Sequence, residues 1–309
     1  GNTFPELVRK CYSPRNLHKL GFIRHEINRL DCTDRERDFF LMGLVDTLRS
    51  ASRAGTGWPY IVPSKYHEKV EREAVDTFSA TIKMMYRDLI VVRDRCPAGD
   101  AECRLIEMDA RDPYPLDAES IDAVVTSPPY LNNYDYADRT RLEMYFMGWA
   151  TSWRDITERV RDKLIHAATT QIRRSGFGDE PVSESIREAD ARVYTELRAT
   201  VQELERIRHT KGGKKSYDLM VAGYFSDLLQ VLKQVYRVMR PGSDLIMVLG
   251  DSAPYGVYIP TEKYLGMLGL GLGFSTYRVN QIRDRGGNWG HNTQRHKVML
   301  KESLLILTK

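Results

Sequence analysis

Cysteine is scarce in this chain: there are four in 309 residues, at Cys11, Cys32, Cys96 and Cys103, and none forms a Cys-x-x-Cys pair. That spacing excludes a disulfide framework and a structural zinc site, and it predicts reduced, buried thiols in a cytosolic protein. The seven histidines are scattered without ligand spacing to cysteines or carboxylates, so metal chemistry is not indicated. No apolar run approaches the roughly 18 residues that a membrane span requires. No signal-peptide pattern opens the chain, and internal repeats and low-complexity tracts are missing. A secreted disulfide scaffold, a membrane protein and a repeat solenoid are all set aside.

What remains is a globular composition, 42% hydrophobic and 28% charged, long enough for one large domain or two ordinary ones. A net charge of +4 and a pI near 8.7 permit a polyanionic partner without requiring one.

Residues 1–95 read as a helical N-terminal region. From Lys65 to Arg95, apolar residues recur at Val70, Ala74, Phe78, Ile82, Met85 and Leu89, steps of three or four that predict one amphipathic helix. An irregular loop is expected before it, at Gly55-Thr56-Gly57-Trp58-Pro59 and Pro63. The pattern then changes. Arg104 to Met108 predicts a short strand, and Ile121 to Thr126 a buried β-branched strand running into Ser127-Pro128-Pro129-Tyr130. Residues 151–222 form a polar, helix-prone insertion. From Tyr224 a helix presents Phe225, Leu228, Leu232, Val235 and Met239 on one side, and Arg240-Pro241-Gly242 stops it. Leu245 to Leu249 follows as a strand, and Tyr277–Ile282 and Leu304–Leu307 are the last two. The expected fold is α/β, with a catalytic core over 96–150 and 223–309 and helices on both faces of its sheet. Ligands of such sheets sit beyond the carboxyl ends of the strands, where both the Ser-Pro-Pro-Tyr loop and the Gly250-Asp251-Ser252 turn fall. Gly266, Gly269, Gly271 and Gly273 precede a strand instead of following one, so they predict a helix C-terminus and not a dinucleotide loop.

Thr126-Ser127-Pro128-Pro129-Tyr130 carries the chemistry. Two adjacent prolines fix two φ angles and remove two backbone donors, leaving stiff, outward carbonyls. A Ser hydroxyl, a proline carbonyl and an aromatic ring would thus surround a small planar group. Exocyclic amines of bases are poor nucleophiles because their lone pair is delocalised into the ring. Acceptors on the amine hydrogens restore nucleophilicity, and an aromatic face holds a flipped-out base.

This segment closely resembles the catalytic motif of the S-adenosylmethionine-dependent DNA amino-methyltransferases, Asp/Asn/Ser-Pro-Pro-Tyr/Phe/Trp. The resemblance extends to Met108-Asp109-Ala110-Arg111-Asp112, to Asn132–Arg139, and to Gly250-Asp251-Ser252, Ile259-Pro260-Thr261, Leu272-Gly273-Phe274 and Glu302–Leu307. It implies a Rossmann-like methyltransferase sheet. It also implies that Ser127 and the Pro128 carbonyl accept the amine hydrogens, with Pro129 stiffening the loop and Tyr130 stacking on the base. Asp109, Ala110 and Thr126 would line the S-adenosyl-L-methionine site, with Asp109 near the adenine. Ser in the first motif position favours cytosine N4 over adenine N6. A C5-cytosine mechanism needs a cysteine nucleophile beside the proline, and none is there.

DNA is the implied partner. Between Arg278 and Lys301, the cations Arg278, Arg283, Arg285, Arg295, Lys297 and Lys301 face Asp284 alone, and Gly286, Gly287 and Gly290 predict a pliable basic loop for phosphate contact. Arg206, Arg208, Lys211, Lys214 and Lys215 form a second basic cluster. Target recognition is expected in residues 151–222 or in the region before residue 100. Two other functions compete: the same chemistry on RNA or protein glutamine, and a DNA-binding subunit with a relic site. The family's aromatic/Asp-x-x-x-Gly-x-Gly cofactor loop is found nowhere before Asp109. With the opening Gly1, this suggests that the loop and the first strands sit on another polypeptide or were removed from this one.

Overall fold

The structure is a computed structural model that describes residues 4–57, 60–62, 69–95, 102–213, 215–285 and 298–309. The chain divides into two compact units, Gly1–Ile106 with Tyr136–Arg161, and Glu107–Asp135 with Asp162–Lys309.

The first unit is mainly helical: α1 (Glu6–Cys11), α2 (Pro14–Arg29), α3 (Asp34–Ala51), α4 (Ala74–Arg95), α5 (Tyr136–Arg139), α6 (Arg141–Met147) and α7 (Trp153–Arg159). Local sequence sets the helix starts. Ser13 accepts the Asn16 amide at 3.3 Å ahead of α2, and Thr33 with Glu36 forms a reciprocal capping box on α3. The long apolar stripe expected from Lys65 becomes helical only at Ala74. There the Asn16 side chain accepts the Ala74 amide at 2.9 Å and Glu73 accepts that of Asp76 at 2.8 Å, which caps the helix and leaves Val70 outside it, exposed. Gly55–Gly57, expected as part of an irregular loop, pairs with Tyr60–Val62 as a small antiparallel hairpin, β1 and β2. Cys11 is buried, and burial pushes its thiol up to about 11, whereas Cys32 is half-buried and Cys103 exposed; all three are free thiols, so among the described residues the expectation of buried cysteines holds for Cys11 alone, and Cys96 lies outside them.

The second unit carries the sheet. Its strands are β3 (Ile121–Thr126), β4 (Met239–Gly250), β5 (Thr276–Arg285) and β6 (Leu300–Thr308), in the order β3-β4-β6-β5. β3 and β4 are parallel, with Thr126 opposite Met247; β6 runs antiparallel between β4 and β5. The helices are α8 (Glu184–Ala189), α9 (Ala191–Thr210), α10 (Tyr217–Val238) and α11 (Thr261–Leu272). This α/β arrangement is compatible with a Rossmann-like methyltransferase fold.

α10 buries Phe225, Leu228, Leu232 and Val235 against a core that includes Leu245, Met247 and Leu249 of β4 and Leu305 and Leu307 of β6. Alternate residues of a strand share a face, which is why one helix layer meets that set. Each such side chain contributes about 1.5–3 kcal/mol of burial. α10 ends at Val238 and the strand begins at once. Met239 pairs with Ile121 and Asp244 with Ala123, so Arg240-Pro241-Gly242-Ser243 loops out as a bulge, with Gly242 at φ +81°. α11 closes on Gly273 at φ +112°, the helix end that the glycine spacing predicts. Within α11, a Cβ at Gly271 would come to 1.8 Å of the Ala189 carbonyl oxygen, so glycine lets α8 and α11 approach.

Arg104–Met108, expected as a strand, is not one: Leu105 is 94% exposed. A strand needs a ladder partner for its amides, and among the described residues nothing pairs with the outer edge of β3, where Val125 is 73% exposed. Among the described residues no helix is long and apolar enough to cross a membrane.

Candidate active site

β3, β4 and β5 end at one edge of the sheet, and antiparallel β6 begins there. Four segments are therefore gathered: Ser127–Tyr130 after β3, Gly250-Asp251-Ser252 after β4, Arg283–Arg285 at the end of β5, and Leu300–Glu302 at the start of β6.

The motif loop is anchored on both sides of its functional residues. The Ser252 hydroxyl donates to the carbonyl of Leu131, which is buried, and so ties the loop after β3 to the turn after β4. Asn133, at φ +61°, accepts from the Thr169 amide at 2.7 Å and its hydroxyl at 2.9 Å, and Asp135 accepts from the Thr170 hydroxyl at 2.7 Å. Pro128 and Pro129 stiffen the stretch between, with Ser127 exposed and Tyr130 half-buried.

Tyr130 is held at three points. Its phenol donates to Glu302 Oε1 at 2.7 Å, the Arg285 guanidinium lies 5.2 Å from its ring centroid, and Gly250 sits against its edge. A Cβ at Gly250 would meet Arg285 Nη1 at 2.1 Å and Tyr130 Cδ2 at 3.0 Å, so a side chain here would displace both. Burial, then the bond to Glu302, pushes the Tyr130 phenol up, while the Ser127 hydroxyl bonded to it acts the other way. Glu302 is held below the usual carboxylate range, first by its ion pair with Arg283 and also by the Tyr130 phenol. Arg285 also donates to the Asp251 carbonyl at 3.1 Å. The Asp251 side chain accepts the Lys301 amide at 2.7 Å and the Tyr258 hydroxyl at 3.0 Å; at 2% exposure, burial pushes its carboxyl upward.

Asp109 belongs to a different cluster. Its Oδ1 accepts the Arg111 backbone amide and Nε, each at 2.9 Å, and its Oδ2 accepts Arg111 Nη2 at 2.6 Å. That pairing holds the carboxyl low. Arg111 also reaches Asp227 at 3.2 Å, and Asp227 in turn accepts from the His166 backbone amide at 2.9 Å and lies 2.8 Å from its Nδ1. Ala110 is exposed, and its carbonyl accepts the Tyr114 hydroxyl at 3.1 Å. Thr126 is the last residue of β3, directly before the motif.

Gly286, Gly287 and Gly290 of the expected pliable loop lie outside the described residues, and part of the basic segment is strand. Arg278, Arg283 and Arg285 lie on β5, paired with β6 as far as Arg285 opposite Leu300. Arg295, Lys297 and Lys214 lie outside the described residues. Arg206 is paired with Glu203 through two hydrogen bonds of 2.7 Å, and Arg208 is buried between Glu205 at 3.2 Å and Asp218 at 3.5 Å. Arg206 and Arg208 are thus neutralised, whereas Lys211 and Lys215 are exposed, Lys215 lying 5.9 Å from the Tyr217 ring centroid. Among the described residues no group of three or more His, Cys, Asp or Glu is placed to hold a metal ion.

Sequence reasoning gave Glu302, Asp251, Tyr258 and Asp227 no role. Two signals were available: an acid opening an otherwise apolar strand (Glu302), and an acid inside the apolar helix α10 (Asp227).

Comparison with known proteins adds to this geometry. No family model and no solved structure matches the chain. It is 24% identical over 238 residues to the type II methyltransferase M.BsoBI of Geobacillus stearothermophilus, covering 74% of this chain and 46% of that protein. It is 27% identical over 167 residues to the type II methyltransferases M.AvaI of Nostoc sp. and of Anabaena variabilis, covering 54% of this chain and 33% of each of those. The chain spans half the length or less of these relatives. These relatives are type II methyltransferases, and the chain, with its Ser-Pro-Pro-Tyr edge, is similar to them.

Proposed function

We propose that the edge formed by Ser127–Tyr130, Gly250–Ser252, Arg283–Arg285 and Glu302 is the target-base half of a DNA methyltransferase site. It methylates an exocyclic amine of a flipped base, in the first place N4 of cytosine, within a restriction–modification or phage-defence system. The observation that carries this reading is the stiff Ser-Pro-Pro-Tyr loop at the carboxyl edge of β3, with its aromatic ring fixed from three directions. Ser127 and the Pro128 carbonyl accept the amine hydrogens, and Tyr130 stacks on the base. Host DNA, RNA and protein, incubated with the complete enzyme (including the segment that carries the cofactor loop) and radiolabelled methyl donor, then hydrolysed and resolved by mass spectrometry, are the test. N4-methylcytosine is expected; N6-methyladenine moves the activity to the second base, and label in RNA or protein alone ends the DNA reading. Relatives named as type II methyltransferases favour DNA modification over a relic binding subunit.

The motif loop answers to Ser127→Ala only in part, because the Pro128 carbonyl remains as an acceptor. Its single-turnover rate should fall less than that of a variant with both prolines replaced by glycine, and a larger loss for Ser127→Ala would make Ser127 the principal acceptor.

S-adenosyl-L-methionine supplies the methyl group. The donor set fits its adenosine end: Asp109 is ionised, and of its two oxygens Oδ2 takes a single Arg111 hydrogen bond, leaving room for an amino hydrogen. Ala110 and Thr126 complete that wall. We place the glycine-rich cofactor loop and its strands outside these 309 residues, on a second polypeptide or on a further stretch of this one, covering the outer edge of β3. The 73% exposure of Val125 supports this, since an edge strand with no partner among the described residues calls for cover. Calorimetric titration of S-adenosylmethionine into this chain alone should show no tight binding; tight binding with DNA methylation by the isolated chain would refute the split.

Arg283, whose side chain is 67% exposed, is assigned with Arg285, Arg295, Lys297, Lys214 and Lys215 to the DNA backbone. Arg283→Glu should weaken binding to all sequences alike. It should lower the slope of log affinity against log salt by about one for each phosphate that is no longer neutralised. Normal binding by that variant at every salt concentration would remove Arg283 from the interface.

A further inference from the structure

Glu302 lies far from the motif in sequence, yet it takes the Tyr130 phenol at 2.7 Å and the Arg283 guanidinium on its other oxygen. Its side chain is largely buried, so the hydrogen bond is made where water competes little. Arg285 covers one face of the same ring and Gly250 bounds its edge, so a stacked base would have to take the opposite face. A tyrosine ring has two soft torsions. The backbone restraints around it set the path of the loop, a bond to the phenol at the far end fixes the direction in which the ring points, and Arg285 on its face with Gly250 at its edge limits rotation about that axis.

We propose that Glu302 is a positioning residue for the target base: its carboxylate anchors the Tyr130 phenol and so presets where the ring on which the flipped base stacks is held. Arg283 keeps that carboxylate charged and turned toward the loop, and Arg285 backs the ring from behind. The family motif also admits Phe or Trp at this position, which have no phenol to anchor, so the anchor is a property of this chain's own tyrosine and strand β6. A ring already held in place lowers the cost of ordering in the complex and acts on the chemical step more than on DNA affinity.

The inference depends on Tyr130 being the stacking ring, and the experiment separates the two. In the complete enzyme, with the segment carrying the cofactor loop, single-turnover methyl transfer and DNA affinity are measured for Glu302→Leu, Glu302→Gln, Tyr130→Phe, Tyr130→Ala and the Glu302→Leu/Tyr130→Phe double variant. A hydrogen bond to a charged acceptor sets the scale, so Glu302→Leu and Tyr130→Phe should each slow the step by roughly tenfold to a hundredfold with little change in DNA affinity. Glu302→Gln still offers an amide oxygen to the phenol and should recover most of that loss. The double variant should be no worse than either single one, because both break the same hydrogen bond. A duplex carrying 2-aminopurine at the target position should show altered fluorescence in Glu302→Leu, reporting a base stacked differently. Wild-type rates for Glu302→Leu, a Gln variant as slow as Leu, or additive losses in the double variant would each overturn the inference. If Glu302→Leu does not fold, Tyr130→Phe decides alone, and its full activity would be fatal. Full activity of Tyr130→Ala would instead remove the stacking role itself.

Discussion

Tyr130→Ala is expected to slow methyl transfer by roughly 5- to 150-fold, the range that corresponds to the about 1–3 kcal/mol a base gains by stacking on an aromatic side chain. The fold should survive. Tyr130 is half-buried at the sheet edge and is absent from the buried core, which lies between the sheet and α10 and α11. Loss of the ring also releases Arg285 and Glu302, which remain paired with the Asp251 carbonyl and Arg283, so no charge is left alone. Circular dichroism and thermal melting matching the native chain, with a slow single-turnover rate on duplex DNA, are the expected pair of results. An unchanged rate would take Tyr130 out of the reaction.

The largest stability effect is expected at Phe225. It is fully buried at the centre of α10, edge-on to Tyr224 with centroids 5.4 Å apart and to Tyr264 at 5.7 Å. Phe225→Ala removes the ring from a core that has no water to refill it, at a cost of about 3–5 kcal/mol. α10 lies between β4 and α9, so the cavity loosens the packing on two sides at once. Denaturant unfolding should show a lower midpoint with an unchanged slope, because the surface exposed on unfolding is nearly the same. A loss below about 1 kcal/mol would mean that the neighbouring rings collapse into the gap and that the core is more plastic than its packing suggests.

These two positions differ in how they could be found. Phe225 belongs to a set spaced at three and four residues, and that periodicity alone places it inside a helix and facing a core. Tyr130 is recognised by its neighbours in sequence, since a proline pair after an apolar strand constrains the backbone whatever surrounds it. Both are local properties of the chain, and so are β3, β4, the last two strands, α10 and the glycine end of α11. The same local reading overextended α4 to Lys65 and gave Arg104–Met108 a strand. The start of α4 depends on Asn16, more than fifty residues away, and a strand exists only where a neighbour completes its hydrogen bonds.

Charge was the least legible quantity. The basic run around Arg206 and Arg208 looks in sequence like a surface for polyanions, but folding brings Glu203, Glu205 and Asp218 against it and neutralises much of it. Glu203 and Glu205 stand three residues before the arginines they pair with, a helical spacing readable along the chain, whereas Asp218 reaches Arg208 only through the fold. What the sequence determined by itself was the α/β class, and the sheet edge and proline-stiffened loop proposed as the site were also read from it, because each follows from periodicity or from proline's fixed geometry. The surroundings of Tyr130 were decided only by tertiary structure. Strand β6 runs antiparallel between β4 and β5, and that topology alone carries Glu302 across 172 positions to the phenol.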